Sequence, residues 1–153
     1  MRDKRFVAVH RGGSLTKERH RQLIRWAVRC SEHVLLLPGT VVDKRVTRAL
    51  RTAKEWAKGK ATVGMCRKAA VAAFAAARES SNPVSTAAAR SAGHAAATAH
   101  MADHSAGSAD YALKAVKLSG KSVERERRWQ DRQLPRGIKA LVLSARAKRH
   151  LKI

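Results

Sequence analysis

TAAARSAGHAAATAHMADH, residues 86–104, is the stretch on which the fold turns. Ala or Gly recurs at nearly every second or third position, no proline interrupts it, and Ala is the residue a helix accommodates at least cost. The spacing predicts a helix from about Ser85 to His104 that is small-sided over much of its surface. RKAAVAAFAAARE, residues 67–79, has the same character and predicts a helix from Thr62 to about Glu79 through Met65, Ala69, Ala73 and Ala76. With Ala and Gly facing inward, two such helices can approach to the short end of the usual interaxial range of roughly 8–10 Å. They are expected side by side.

Outward from this centre the helical period continues in both directions. A helix is predicted from Thr16, a plausible N-cap, to about Leu37, where Pro38-Gly39 stops it; its apolar stripe is Leu23, Ala27, Cys30, Val34 and Leu37. Another opens at Asp43, carries Val46, Ala49, Leu50, Ala53, Trp56 and Ala57 on one side, and ends at Gly59. Beyond the Ala-rich pair, helices are predicted over about Ala109–Leu118, from Ser122 to Leu134-Pro135, and over about Ile138–Leu151. FVAV at residues 6–9 is the one short stretch with strand character. The expected fold is all-α, a compact bundle of six or seven helices with an Ala-rich core. Because each buried CH₂ contributes only about 0.8 kcal/mol, Trp26, Trp56, Phe74, Tyr111 and Trp129 are expected to anchor that core.

Length and composition agree with one domain. In 153 residues, Gly and Pro together make only 12 while 44% of residues are hydrophobic, which excludes disordered and collagen-like classes. The organisation read from the pattern is a basic N-terminal extension (1–15), one helical domain (16–143) and a basic C-terminal tail (144–153). The longest apolar run, Ala69 to Ala77, falls far short of the roughly 18 residues of a membrane span. The N-terminal apolar stretch ends at Val9 before His10 and Arg11, so it does not form a signal-peptide core. Cys30 and Cys66 fall at apolar helical positions and read as reduced core residues of a cytoplasmic protein.

Charge is the most informative bias. Lys and Arg number 33 against 11 Asp and Glu, a net +22. The excess sits in the outer segments as helical stripes: Lys17, Arg21, Arg25 and Arg29 in the first helix, Lys44, Arg48, Arg51 and Lys58 in the second, and Lys121, Arg125, Arg128 and Arg132 in the sixth. Arginine predominates among the cations, and its planar fork pairs bidentately with phosphate or carboxylate. Such stripes suit a nucleic-acid backbone, an anionic membrane surface or an acidic protein. The aromatics lie on apolar stripes, which does not suggest a base-stacking platform.

Catalytic motifs are absent. The chain has no GxSxG, no GxxxxGK[ST] and no GxGxxG after a strand, and no carboxylate cluster able to hold two metals. His94, His100, Asp103 and His104 are the one metal-like group. On a continuous helix His100 and His104 would lie about 40° apart on one face, half a zinc site. HMADH lacks the glutamate of HExxH, and no Cys-x-x-Cys completes the set. The favoured reading is structural, with imidazoles filling gaps between Ala-rich helices. No cofactor is expected.

Six blocks in order, WAVRCSEHVL (26–35), ALRTAKEWAKG (49–59), RKAAVAAFAAARE (67–79), AAARSAGHAAATAHMADH (87–104), YALKAV (111–116) and ERERRWQDRQLP (124–135), resemble bacterial immunity proteins of the immunity-five-like family. The resemblance spans roughly residues 16–143. It implies a small helical, non-catalytic protein that neutralises a bacterial toxin by direct contact, and it carries over no catalytic residue. Some relatives bear an exonuclease-type label, which the missing carboxylate cluster does not support. In its charge the chain departs from the family, which leaves two partners open: the acidic surface of a cognate toxin, or the DNA or RNA backbone.

Overall fold

The computed structural model describes residues 2–150. Seven α-helices form the bundle: α1 (Lys17–Val34), α2 (Lys44–Ala57), α3 (Val63–Glu79), α4 (Pro83–Ala97), α5 (His104–Leu118), α6 (Val123–Arg132) and α7 (Arg136–His150). Two single turns of 3-10 helix, Lys4–Phe6 and Val9–Arg11, precede them. Among the described residues there is no strand. The FVAV segment makes only one isolated parallel bridge, Ala8 to Leu15, because the second 3-10 turn bends the chain away after a single pairing.

Local sequence sets most helix starts. The side chains of Thr16, Asp43, Thr62, Asn82 and Ser122 each accept a hydrogen bond from a backbone N–H two or three residues on, capping α1, α2, α3, α4 and α6. Pro83 follows its cap in the first turn of α4, where its missing N–H costs nothing. Gly59 and Gly120 close α2 and α5 with φ of 77° and 80°, in the left-handed region that side chains disfavour.

The helix expected to run unbroken to His104 breaks instead after Ala97. Thr98 turns its hydroxyl back onto the His94 carbonyl at 2.9 Å, and the next amides tighten to i−3 partners, Ala99 to Ala96 and His100 to Ala97. The chain then reverses, and α5 starts five residues before the expected Ala109. α4 and α5 run antiparallel, joined by the Ser91 hydroxyl donating to the Ser108 carbonyl at 2.7 Å. The Ser108 hydroxyl in turn lies 2.9 Å from the Ser91 carbonyl and 3.2 Å from that of Ala27 on α1. These buried polar groups satisfy one another across three helices.

α4 is the hub. It packs against α1, α2, α3 and α5, and after Pro83 none of its residues is exposed. Such enclosure is possible only with small side chains. A Cβ on Gly93 would stand 2.8 Å from the Phe74 ring of α3, and one on Gly107 of α5 would stand 2.8 Å from His94 Nδ1. Larger apolar residues, Leu23, Ile24, Val28, Val34 and Ile138, fill the space around α1.

Of the five aromatics expected as anchors, Trp26 alone is fully buried. Trp56, Phe74, Tyr111 and Trp129 are half-buried, and each lies against a histidine: Trp56 on His20, Phe74 and Tyr111 on His94, Trp129 on His33. With the centre already filled by α4, bulky rings pack at its periphery. Trp26 donates to the Gln130 carbonyl at 2.8 Å, and the buried Gln130 amide donates to Ala109 at 3.1 Å and accepts from Arg146. One glutamine thereby ties α6 to α1, α5 and α7.

Replacing Gly93 with Leu is expected to lower stability by about 1–3 kcal/mol, the usual range for overpacking. The same change at Gly64, where a Cβ meets only Thr62 at 3.8 Å, serves as control. Urea unfolding of the two variants should show a clear loss for the first relative to the second.

Candidate partner-binding surface

Nine ion pairs involving Lys, Arg or His occur among the described residues, and they engage Asp3, Glu32, Asp43, Glu79, Asp103, Asp110, Glu124, Glu126 and Asp131. That is nine of the chain's 11 carboxylates, so little negative charge is left to neutralise anything else. None of the pairs involves a stripe cation. Lys17, Arg21, Arg25, Arg29, Lys44, Arg48, Arg51, Lys121, Arg125, Arg128 and Arg132 all lack a carboxylate within ion-pair distance among the described residues. All but Arg21 are exposed. Arg21 is half-buried, with its Nε unpartnered.

Part of this set is brought together. α1 lies between α2 and α6: Lys54 pairs with Glu32 on one side, and His33 with Glu126 on the other at 2.6 Å. Arg25 donates to the Ala57 carbonyl at the end of α2, and Arg29 to the Gln133 side chain at the end of α6. Between the C-terminal end of α1 and α6 runs a groove of about 670 Å³ lined by Lys121, Arg125, Arg132, Trp129, His33 and Leu36 among others. Arg128 is exposed on the same helix. Lys17 lies at the opposite end of α1, and no hydrogen bond or ion pair joins Lys44, Arg48 or Arg51 to the groove.

The groove contains features that charge patterning did not single out. His33 stacks on Trp129 with ring centroids 3.6 Å apart and planes 8° from parallel, and the half-buried pair is held from below by Glu126. Leu36, 81% exposed, forms an apolar lip, and Val41 and Val42 stand exposed in the loop that follows. Trp beside arginines in ERERRWQDR was the available signal; only the fold shows that His33, ninety-odd residues away, completes it. Trp and Arg, which meet here, are among the residues enriched in binding hot spots generally.

His94, His100 and His104 do not share a helical face. His94 is on α4, His100 in the turn and His104 at the first position of α5. The hairpin brings His94 and His104 together at 3.0 Å between their Nδ1 atoms, while Asp103 turns away to a two-pronged pair with Arg2. Among the described residues no group of three or more His, Cys, Asp or Glu is arranged to hold a metal ion. Burial, and next the neighbouring His104, push the His94 imidazole down to about 4. Burial also lowers His104, against the pull of Asp103.

These features define a class first: an all-helical bundle with a cationic groove that has an aromatic floor and an apolar lip. The family described as "Imm-5 like putative immunity protein" matches residues 13–137, and the chain belongs to that family. Membership implies a cognate toxin as partner. No curated protein and no solved structure matches the chain. Among the described residues no helix is long and apolar enough to cross a membrane.

An unfolded chain protonates His94 near 6.5, whereas the folded protein resists until about 4. Protons therefore favour the unfolded state across that interval, so the His94 contribution lowers stability as pH drops from about 6.5 to about 4 and adds nothing more below, where the ion-paired carboxylates Asp3, Asp43 and Glu79 begin to be protonated and continue the loss. Urea unfolding over this range should show the slope, and His94→Gln should reduce it without abolishing it, since His20, His100 and His104 are lowered as well.

Proposed function

We propose that this protein neutralises its toxin by direct, non-catalytic contact, and that the groove between α1 and α6 is the docking surface. The observation that carries the reading is the group of cations without ion pairs among the described residues, Lys121, Arg125 and Arg132, around the stacked Trp129–His33 pair beside Leu36, with Arg128 exposed on the same helix. Cations without acidic partners raise the local potential, which speeds encounter with an acidic surface and sets which surface is accepted. Trp129 and Leu36 supply apolar area that is poorly covered in the isolated protein and becomes buried on docking. Binding rather than catalysis is supported by the commitment of nearly all carboxylates to ion pairs, which leaves no cluster for acid-base chemistry. Two buried thiols fit a reducing cytoplasm, and burial pushes the Cys66 thiol up to about 11.

Arg125→Glu, Arg128→Glu and Arg132→Glu combined should abolish protection in cells that co-express the toxin encoded beside this gene. None of the three forms an ion pair among the described residues, so stability should change by no more than about 0.5 kcal/mol each. Trp129→Ala should weaken the complex with the charges intact. Loss of protection with an unchanged melting curve supports the docking surface; full protection by the triple variant removes it. A gel-shift titration tests the remaining reading, since tight binding of DNA that persists at physiological salt would assign the same cations to phosphate backbone instead.

A further inference from the structure

At the other end of α1, the residues ahead of the helix fold back over the α4–α5 turn. Phe6 and Leu15 are buried in the same apolar cluster as Leu23 and Ala102, and Arg2 clamps Asp103 through two hydrogen bonds of 3.2 Å. Beneath this segment lies a cavity of about 460 Å³. Its apolar walls include Phe6, Leu15 and Trp56, and Arg2, Arg11 and Lys17 stand around it. No Asp or Glu lines it. Arg2 is answered by Asp103, whereas Arg11 and Lys17 have no carboxylate within ion-pair distance among the described residues.

Two histidines in the wall register the same imbalance. His20 holds the Thr98 carbonyl through Nε2 at 2.6 Å, and His100 has its Nδ1 buried without any hydrogen-bond partner. Burial lowers both imidazoles. For His20 the Thr98 contact opposes the shift and the charges of His10, Arg11 and Arg2 add to it; for His100 the added charges are His104, Arg67, Arg11 and Arg2. Positive charge is thus concentrated on a partly enclosed apolar space, and His100, whose Nδ1 is buried without a partner, is one of the residues that line it. Cations gathered beside low-dielectric walls are stabilised when an anion replaces the missing carboxylate.

We infer that this cavity binds a small organic phosphate, with its dianionic head between Arg11 and Lys17 and an aromatic or apolar body against Phe6, Leu15 and Trp56. A phosphate supplies up to two negative charges and three acceptor oxygens, which matches two unanswered cations and further donors in the wall. The volume lies within the roughly 300–1,000 Å³ of small-molecule sites. An apolar wall gives bare inorganic phosphate nothing to bury, so the site selects for an attached body. Lys17 is roughly 24 Å along α1 from His33, at about 1.5 Å per residue, so the cavity is independent of the α1–α6 groove. Arg2 and Arg11 precede residue 13, where the family match begins, whereas Leu15, Lys17, His20, Trp56 and His100 lie within it, so the cavity joins the N-terminal segment to the family's helical body.

Phenyl phosphate is the probe, titrated by calorimetry at physiological salt beside inorganic phosphate. The expected result is one-to-one binding at least about tenfold tighter for phenyl phosphate. Arg11→Ala with Lys17→Ala should weaken it by about tenfold or more, the effect of losing charged hydrogen bonds. Arg125→Ala with Arg128→Ala removes the same net charge elsewhere and should leave it unchanged. Equal affinity for the two phosphates, or equal loss in the two double variants, would show only the general attraction of a basic protein for anions and would overturn the site. Ring resonances of His20 and His100 in the unsubstituted protein provide a second readout that needs no variant to fold. They should shift on addition of phenyl phosphate, and unmoved resonances also overturn the assignment.

Discussion

Everything in this bundle is arranged around the enclosure of α4. A helix with neighbours on four sides cannot carry large side chains on any face it buries, and α4 meets the requirement with Ala at seven of its 15 positions and Gly at 93. Close approach then determines the rest. Phe74 lies where a Cβ on Gly93 would be, His94 lies where a Cβ on Gly107 would be, and Ser91 and Ser108 bond across a gap too narrow for longer polar side chains. Small residues bury little area each, so stability depends on the large apolar residues of α1 and on buried hydrogen bonds such as those of Gln130.

The same enclosure moves chemistry outward. Bulky rings that do not fit beside α4 settle at the periphery against histidines, where two of them, Trp56 and Trp129, border the two cationic recesses described above. Ion pairing sharpens the effect. With nearly all carboxylates engaged by Arg2, Arg5, Arg45, Lys54, Arg127, Arg146, Arg149 and His33, the stripe cations are left to solvent or to a partner. A net charge of +22 is therefore not a uniform coat. It is a set of satisfied pairs plus clusters of cations without ion pairs among the described residues.

Much of the fold was legible in the chain. Caps at Thr16, Asp43, Thr62 and Ser122, and the stop at Gly59, act through hydrogen bonds within a few residues, so a local reading finds them. The break after Ala97 escaped the same reading. Residues 98–103 contain neither Gly nor Pro, and Ala-rich sequence on both sides is compatible with a continuous helix. What turns the chain is the gain from folding α5 back along α4, a long-range packing term with no local marker beyond Thr98. The histidines moved with it: His100 and His104, set on one face of a single helix by the spacing, lie instead in the turn and at the start of α5, with ring centroids still 5.3 Å apart, and His104 also meets His94.

The sequence by itself determined the helical class, the small-residue centre, most helix ends, the family and the excess of positive charge. Each of these depends on residue type and near-neighbour spacing. Tertiary structure alone decided the α4–α5 reversal, the pairing of His33 with Glu126 beneath Trp129, and the folding of Arg2 onto Asp103. It also decided which cations form no ion pair among the described residues. An ion pair or a recess forms between groups as far apart in the chain as Arg2 and Asp103, and whether they meet depends on how the helices pack, which is settled by burying apolar area over the whole molecule rather than by any local pattern.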